Sequence, residues 1–424
     1  MSRRLLLILS TLALLVGAAI YFWPHDDQGP PSDPKDTIVN PTNVGRGAYL
    51  AKAGDCIACH TVRGGAPFAG GRAIDTPFGK IYSPNITPDD ETGLGNWSAD
   101  DFWEALHNGR ARDGHLLYPA FPYTNYTKVT RHDADQLYAY LRSVAPQNAL
   151  NKPNELRFPF NLQVMLKLWR VLYFRPSVFM PTYSKSIEWN RGAYLVEGLG
   201  HCSACHSSRN ALGATEGGLT GGLISSLGWY APSLTSNNEN GLGSWERGHV
   251  SLLLKTGNSP RATVFGPMAE VVQQSLQHLN DSDLDAMVTY LKALPSTAQD
   301  DPADAISGPK IEAIMAQGKR LYQVHCADCH GLSGVGMPPA YPPLAGNRSV
   351  LMENAANSIR IVLNGGFAPS TDENRRPYGM PPYSHVLSDY EVAAVVTYLR
   401  MSWGNQSLPV TATEVNHYRS VPLE

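Results

Sequence analysis

The sequence predicts an all-α protein of three small helical domains in tandem, and two features of its 424 residues carry that expectation. The first is a motif that occurs three times: Cys56-Ile57-Ala58-Cys59-His60, Cys202-Ser203-Ala204-Cys205-His206 and Cys326-Ala327-Asp328-Cys329-His330. The second is a pair of segments with helical periodicity that brackets each copy. Two thiols three positions apart on one helical turn can each form a thioether to a porphyrin vinyl, while the adjacent His turns its imidazole to the iron. The spacing therefore calls for a covalent c-type haem at each of the three copies.

Residues 1–43 come first. Arg3 and Arg4 precede an apolar run from Leu5 to Trp23 that only small or hydroxyl residues interrupt. At about 1.5 Å per residue this run reaches nearly the thickness of a hydrocarbon core and exceeds the apolar stretch of a cleavable leader. It reads as a signal anchor that holds the N-terminus in the cytoplasm and sends everything after Pro24 across the membrane. The rival is a cleaved signal peptide, for which Gly17-Ala18-Ala19 supplies small residues. Both export the rest of the chain. Residues from about His25 to Asn43 are rich in Pro and Asp, and read as a tether.

The three domains are expected over 44–150, 187–298 and 299–424, the last including the tail, with an amphipathic linker over 151–186. Gly45-Arg46-Gly47-Ala48-Tyr49-Leu50, Asn190-Arg191-Gly192-Ala193-Tyr194-Leu195 and Gln317-Gly318-Lys319-Arg320-Leu321-Tyr322 form short leading helices into the Cys pairs. Closing helices follow at Asp135–Leu141, Asp285–Leu291 and Glu391–Leu399, with Asp133, Ser282 and Ser388 as expected N-caps. The first two units share more. Tyr82-Ser83-Pro84-Asn85-Ile86-Thr87 matches Tyr230-Ala231-Pro232-Ser233-Leu234-Thr235, and Gly93-Leu94-Gly95-Asn96-Trp97 matches Gly241-Leu242-Gly243-Ser244-Trp245. Trp97 and Trp245 read as core or haem-wall packing.

Competing readings of the cysteines fail on one point. A redox dithiol needs no His after its second Cys, a zinc site of this kind needs a second ligand pair, and the six cysteines are the whole inventory. No cysteine is left for a disulfide. A net charge of −3 gives no electrostatic case for nucleic acid. The acidic stretch Asp89-Asp90-Glu91 reads as a solvated loop rather than a calcium site. The glycine-rich run Gly217–Gly222 follows no strand signal, which excludes a phosphate loop.

The second axial ligands separate the units, because a thioether raises the haem potential and marks an electron carrier. Met380, in Gly379-Met380-Pro381-Pro382-Tyr383, is the expected ligand in unit three, with Met337 left to packing. Met268, in Phe265-Gly266-Pro267-Met268, takes that place in unit two, while Met287 lies within the closing helix. Unit one has no Met between Cys56 and Leu150, and Phe121 of Tyr118-Pro119-Ala120-Phe121-Pro122-Tyr123 stands where the thioether belongs. His115 is the nearest candidate, with His107 and His132 behind it. Met165 or Met180 from the following segment, or a five-coordinate iron, are the alternatives.

These motifs, with the run Trp189–Cys202, resemble the trihaem cytochrome c subunits of bacterial membrane-associated dehydrogenases over roughly residues 44 to 402. The resemblance implies three tandem class I cytochrome c domains behind the signal anchor. It implies His60, His206 and His330 as proximal ligands and Met268 and Met380 as distal ones; Phe121 departs from the Met that many members carry. It further implies a large catalytic subunit, a quinoprotein, flavoprotein or molybdoprotein, with or without a small subunit. Ubiquinone or a terminal oxidase would receive the electrons at the periplasmic face of the inner membrane. Nothing in the chain supplies a hydride acceptor or a nucleophile, so it is expected to carry electrons and leave the substrate chemistry to that partner.

The segment Phe158–Arg175 is unusually apolar for a linker, with Lys167, Arg170 and Arg175 interspersed, and reads as an amphipathic helix. Inter-domain core, partner surface and membrane interface are its three possible homes. Two other functions remain open: peroxide reduction at a Met-less first haem, and a free-standing electron shuttle, which an anchor argues against. Residues 404–424 carry neither a repeat nor an amphipathic stripe.

Overall fold

The computed structural model describes residues 17, 27, 29–236, 241–296 and 308–421. The expected anchor, Leu5–Trp23, lies outside the described residues except for Gly17. Among the described residues no helix is long and apolar enough to cross a membrane. The chain divides into two compact units: residues through Leu50 with Cys59–Met180, and Ala51–Ala58 with Pro181–Glu424.

Each repeat is organised by one crossing of two helices. The leading helices Pro41–Ala53, Ile187–Ala193 and Pro309–His325 meet the closing helices Arg131–Ser143, Asp281–Lys292 and Asp389–Arg400. The crossing point is a glycine in every case. A Cβ on Gly47, Gly192 or Gly318 would run into the main-chain carbonyl of Gln136, Ala286 or Ala394, and into the Cβ of Tyr140, Tyr290 or Tyr398. Close approach of the two backbones is what the repeated glycine supplies, and the closing-helix tyrosine fills the space beside it. Tyr290 packs edge-on against Trp189 with centroids 5.0 Å apart, and Tyr398 lies 5.5 Å from Tyr322.

A second repeated device ends each closing helix. Arg142 Nη1 donates to the Leu94 carbonyl at 3.3 Å. Lys292 Nζ donates to the carbonyls of Leu242, Gly243 and Trp245, each at 2.8 Å. Arg400 donates to the carbonyls of Val350 at 3.0 Å and Met352 at 2.8 Å. The cation after each Tyr-Leu pair thus gives main-chain carbonyls of a neighbouring segment a charged donor, and it also favours the helix C-terminus electrostatically.

Several expectations are corrected. The closing helices begin earlier than expected in the first two repeats. Thr130 caps the first through the Asp133 N–H, and Asn280 caps the second through the Asp283 N–H at 2.8 Å, so Asp133 and Ser282 are helical residues. Ser388 does cap the third, in a capping box with Glu391. Alongside the helices the described residues carry nine strands of two to four residues, arranged in small antiparallel pairs and one three-stranded sheet. Segments this short carry no periodicity from which to predict them.

The tether is not loose over its second half. Asp36 accepts from His132 Nδ1 at 2.6 Å and Ser32 Oγ donates to Asp135 at 2.8 Å, which fastens the short helix Pro34–Thr37 to the first closing helix. The apolar linker forms the helix Gln163–Tyr173 and turns Leu166 and Arg170, followed by Phe174, into its own unit at a spacing of four. Val164 and Leu172 on the other face are 62% and 58% exposed. The tail folds back on the third repeat: helix Ala412–Arg419 has a capping box from Thr411 and Glu414, buries Val415, and ties Arg419 to Asp389 at 2.7 Å.

Candidate functional site

The site repeats with the motif. Each Cys pair sits on one helical turn, Cys56–Cys59, Ser203–His206 with Cys202 at its cap, and Ala327–His330 with Cys326 at its cap. The following His is held the same way every time. Its Nδ1 lies 2.8 Å from the Pro84 carbonyl for His60, 2.6 Å from Pro232 for His206, and 3.0 Å from Pro342 for His330. A carbonyl only accepts, so Nδ1 carries the proton and the Nε2 lone pair is left for a metal. Burial lowers the affinity of all three imidazoles for a second proton. His206 goes down to about 4, against the pull of the Pro232 carbonyl and with help from the Arg348 charge.

Glycines lock the support in place. The N–H of Gly70, Gly221 and Gly336 donates to the main-chain carbonyl of His60, His206 and His330 at 2.8, 2.9 and 2.9 Å. All three have positive φ, and a Cβ on them would strike the segments around Pro84, Ala231 and Pro342. Neither the prolyl acceptors nor these glycines were singled out as ligand supports from sequence. The signal was there in part, since Pro84 and Pro232 sit in the matched Tyr-x-Pro segments and Gly221 in the glycine-rich run.

In the second unit one cavity of about 680 Å³ is lined by Cys202, Cys205 and His206 together with Cys326, Cys329 and His330. Met268 and Met380 line it too. Met268 enters at the second residue of helix Pro267–Gln274. Met380 comes from the strand Gly379–Met380, paired with Gly366–Phe367. Met337 is 53% exposed, and Met287 is buried within the closing helix. The second and third repeats are pinned together across this cavity: Asn357 Oδ1 accepts from the Tyr230 N–H, and its Nδ2 donates to the Tyr230 carbonyl, both at 2.8 Å.

In the first unit the candidates separate. His115 is half-exposed, with Nδ1 held by the Asp113 carboxylate. His107 is buried, bonded through Nδ1 to the Thr127 carbonyl at 2.8 Å and stacked on Trp103 at 4.4 Å. His132 is exposed and spends its Nδ1 on Asp36. Phe121 is half-buried 5.4 Å from the Tyr126 ring. Met165 is half-buried in the linker helix, and Met180 is 74% exposed. The Asp89 carboxylate is taken up by its own turn, accepting from Thr92 N at 2.8 Å and Thr92 Oγ1 at 2.7 Å.

The residues fit a haem better than the rival occupants. Burial pushes the Cys202 and Cys326 thiols up to about 12, the reverse of an activated redox dithiol. Among the described residues no group of three or more His, Cys, Asp or Glu is placed to hold a bare metal ion. An apolar cavity that presents paired thiols and an oriented imidazole suits a porphyrin held by thioethers and one nitrogen.

The cytochrome c family model matches residues 44–145, 190–295 and 315–403. The chain belongs to the cytochrome c family. Its relatives narrow this further. It is similar to the gluconate 2-dehydrogenase cytochrome c subunit of Pantoea cypripedii, 39% identical over 97% of this chain and 95% of that protein. It is also similar to the cytochrome c subunit of alcohol dehydrogenase (quinone) of Gluconobacter oxydans (strain 621H), 38% identical over 89% and 82% of the two chains. The fructose dehydrogenase cytochrome subunit of Gluconobacter japonicus is 35% identical over 98% and 90%. The chain is a member of this group of dehydrogenase cytochrome c subunits, an electron-transfer protein with covalent haem c.

Proposed function

We propose that the chain is the electron-carrying subunit of a bacterial dehydrogenase complex and holds three covalent haems between a large catalytic subunit and ubiquinone or a terminal oxidase. The observation that carries this reading is the threefold support of the motif His, with its Nδ1 on a prolyl carbonyl and its main-chain carbonyl on a glycine N–H. When bound, haem supplies a one-electron iron couple. The chain's residues do the rest. The cysteine pairs fix the ring covalently, and the His imidazoles, neutral and oriented, offer Nε2 to the iron. Met268 and Met380, which line the same cavity, would supply thioethers to the iron, and the apolar cavity wall would exclude water.

The names of the relatives support a catalytic dehydrogenase partner, which we take to be a quinoprotein, flavoprotein or molybdoprotein, with or without a small subunit. The apolar run Leu5–Trp23 behind Arg3 and Arg4 supports anchorage at the inner membrane with the haem domains in the periplasm. Copurification from detergent-solubilised membranes tests the whole reading. A large dehydrogenase is expected in the preparation, and one class among alcohols, sugar acids and N-heterocycles is expected to reduce the haems. A chain that comes alone, ignores every substrate and turns over peroxide would overturn it.

For the first haem we assign His115 as the sixth ligand. Its Nδ1 already rests on the Asp113 carboxylate, the orientation that leaves Nε2 for iron. Magnetic circular dichroism should then show one haem distinct from two His–Met haems. His115→Ala should open that iron to carbon monoxide in the reduced protein, whereas three identical His–Met signatures would rule the assignment out.

A further inference from the structure

Arg348 belongs to the third repeat by sequence but faces the second. It opens the short helix Arg348–Leu351, and its Nη1 donates to the Ser233 carbonyl at 3.0 Å. Its guanidinium carbon lies 5.2 Å from the centroid of the Trp245 ring. Ser233 follows Pro232, the residue whose carbonyl holds His206 Nδ1. Arg348 is therefore carried across the seam to the proximal side of the second repeat's motif, and it lines the cavity shared by the two motifs.

The residue is only 8% exposed, and among the described residues no Asp or Glu forms an ion pair with it. A guanidinium offers five N–H donors in a rigid fork, and the Ser233 carbonyl takes one. Leaving such a cation buried without a counter-charge is costly, and chains avoid it unless something supplies the anion. Burial lowers the pKa of Arg348 only to about 10, so it remains a cation at neutral pH. The group that the cavity is shaped to take brings propionate carboxylates with it, and a carboxylate is what the guanidinium fork matches.

We propose that Arg348 holds a propionate of the haem carried by the second repeat and thereby raises that haem's potential from a neighbouring domain. The inference rests on the three-haem reading above. A cation beside the ring disfavours the more positively charged ferric state, so its loss must lower the potential. The second consequence is a link between repeats, because the residue that tunes one site is positioned by the fold of the next.

The test uses the full, haem-loaded chain. The haem content of the unsubstituted protein is measured first by pyridine haemochrome, and a value other than three would count against the reading on which the inference rests. Spectroelectrochemical titration of Arg348→Gln should then show one of three waves moved down, with about a tenfold fall in its reduction equilibrium constant, roughly 59 mV for one electron. The other two waves should stay in place. Full haem content with all three waves unmoved overturns the proposal and leaves the three-haem reading intact. Should Arg348→Gln fail to assemble, Arg348→Lys keeps the charge and loses the fork. Its resonance Raman propionate-bending band should shift, and an unshifted band would equally overturn the proposal.

Discussion

Replacing Cys202 and Cys205 together with alanine should abolish folding of the second repeat and take the third repeat with it. The two motifs line a single cavity of about 680 Å³. At about 24 cal/mol per Å³ of void, emptying the half of it that one of the two haems would fill costs on the order of 8 kcal/mol. That lies within the roughly 5–15 kcal/mol that stabilises a typical domain. The tethered haem is thus core as well as cofactor, as expected for small domains that cannot bury enough of their own side chains. Thermal melts followed by circular dichroism, with the yield of exported protein, provide the check. A soluble variant that lacks this haem and still unfolds cooperatively from residue 187 onward would defeat the argument.

The second large effect is expected at the helix crossings. Gly318→Val should destabilise the third repeat by about 3 kcal/mol or more, since the added carbons meet the Ala394 carbonyl and Tyr398 with no room to turn aside. Gly192→Val should do the same to the second repeat through Ala286 and Tyr290. Gly248 is the matched control, because it also lies in a helix and a Cβ there meets nothing within 4 Å. Gly248→Ala should leave stability unchanged or raise it by up to about 1 kcal/mol through helix propensity alone. Denaturant unfolding of the holoprotein separates the cases, and equal losses at Gly318 and Gly248 would mean that the crossing does not set the fold.

Much of this architecture could be read from side-chain chemistry. The Cys-x-x-Cys-His copies, the closing helices and the Met positions before them announce themselves through residue type and spacing. What escaped was carried by the backbone. Pro84, Pro232 and Pro342 act through carbonyl oxygens that every residue possesses, so only the repetition of Tyr-x-Pro hinted at them. Thr130 and Asn280 compete in sequence with Asp133 and Ser282, equally good cap formers nearby, and which one caps depends on where the helix must begin to reach its partner. The tail carries no repeat or amphipathic stripe, and the second half of the tether reads as a linker, because isolated contacts fix them: Arg419 with Asp389 and the single buried Val415 in one, Asp36 with His132 in the other. The linker helix was legible as amphipathic, but its buried Arg170 was not, since a cation stacked 4.8 Å from Phe174 leaves no mark in hydrophobic periodicity.

The two-way amide bond between Asn357 and Tyr230 also bears on how such a chain can be taken apart and reused. Tandem repeats invite treatment as interchangeable beads, to be cut out and grafted one at a time. Here a graft of the second repeat alone would leave behind Asn357 and Arg348, and with them one wall of its own chamber. The smallest transplantable piece is the doublet, so a designer who wants a shorter or longer wire from this scaffold has to add or remove repeats on either side of that pair.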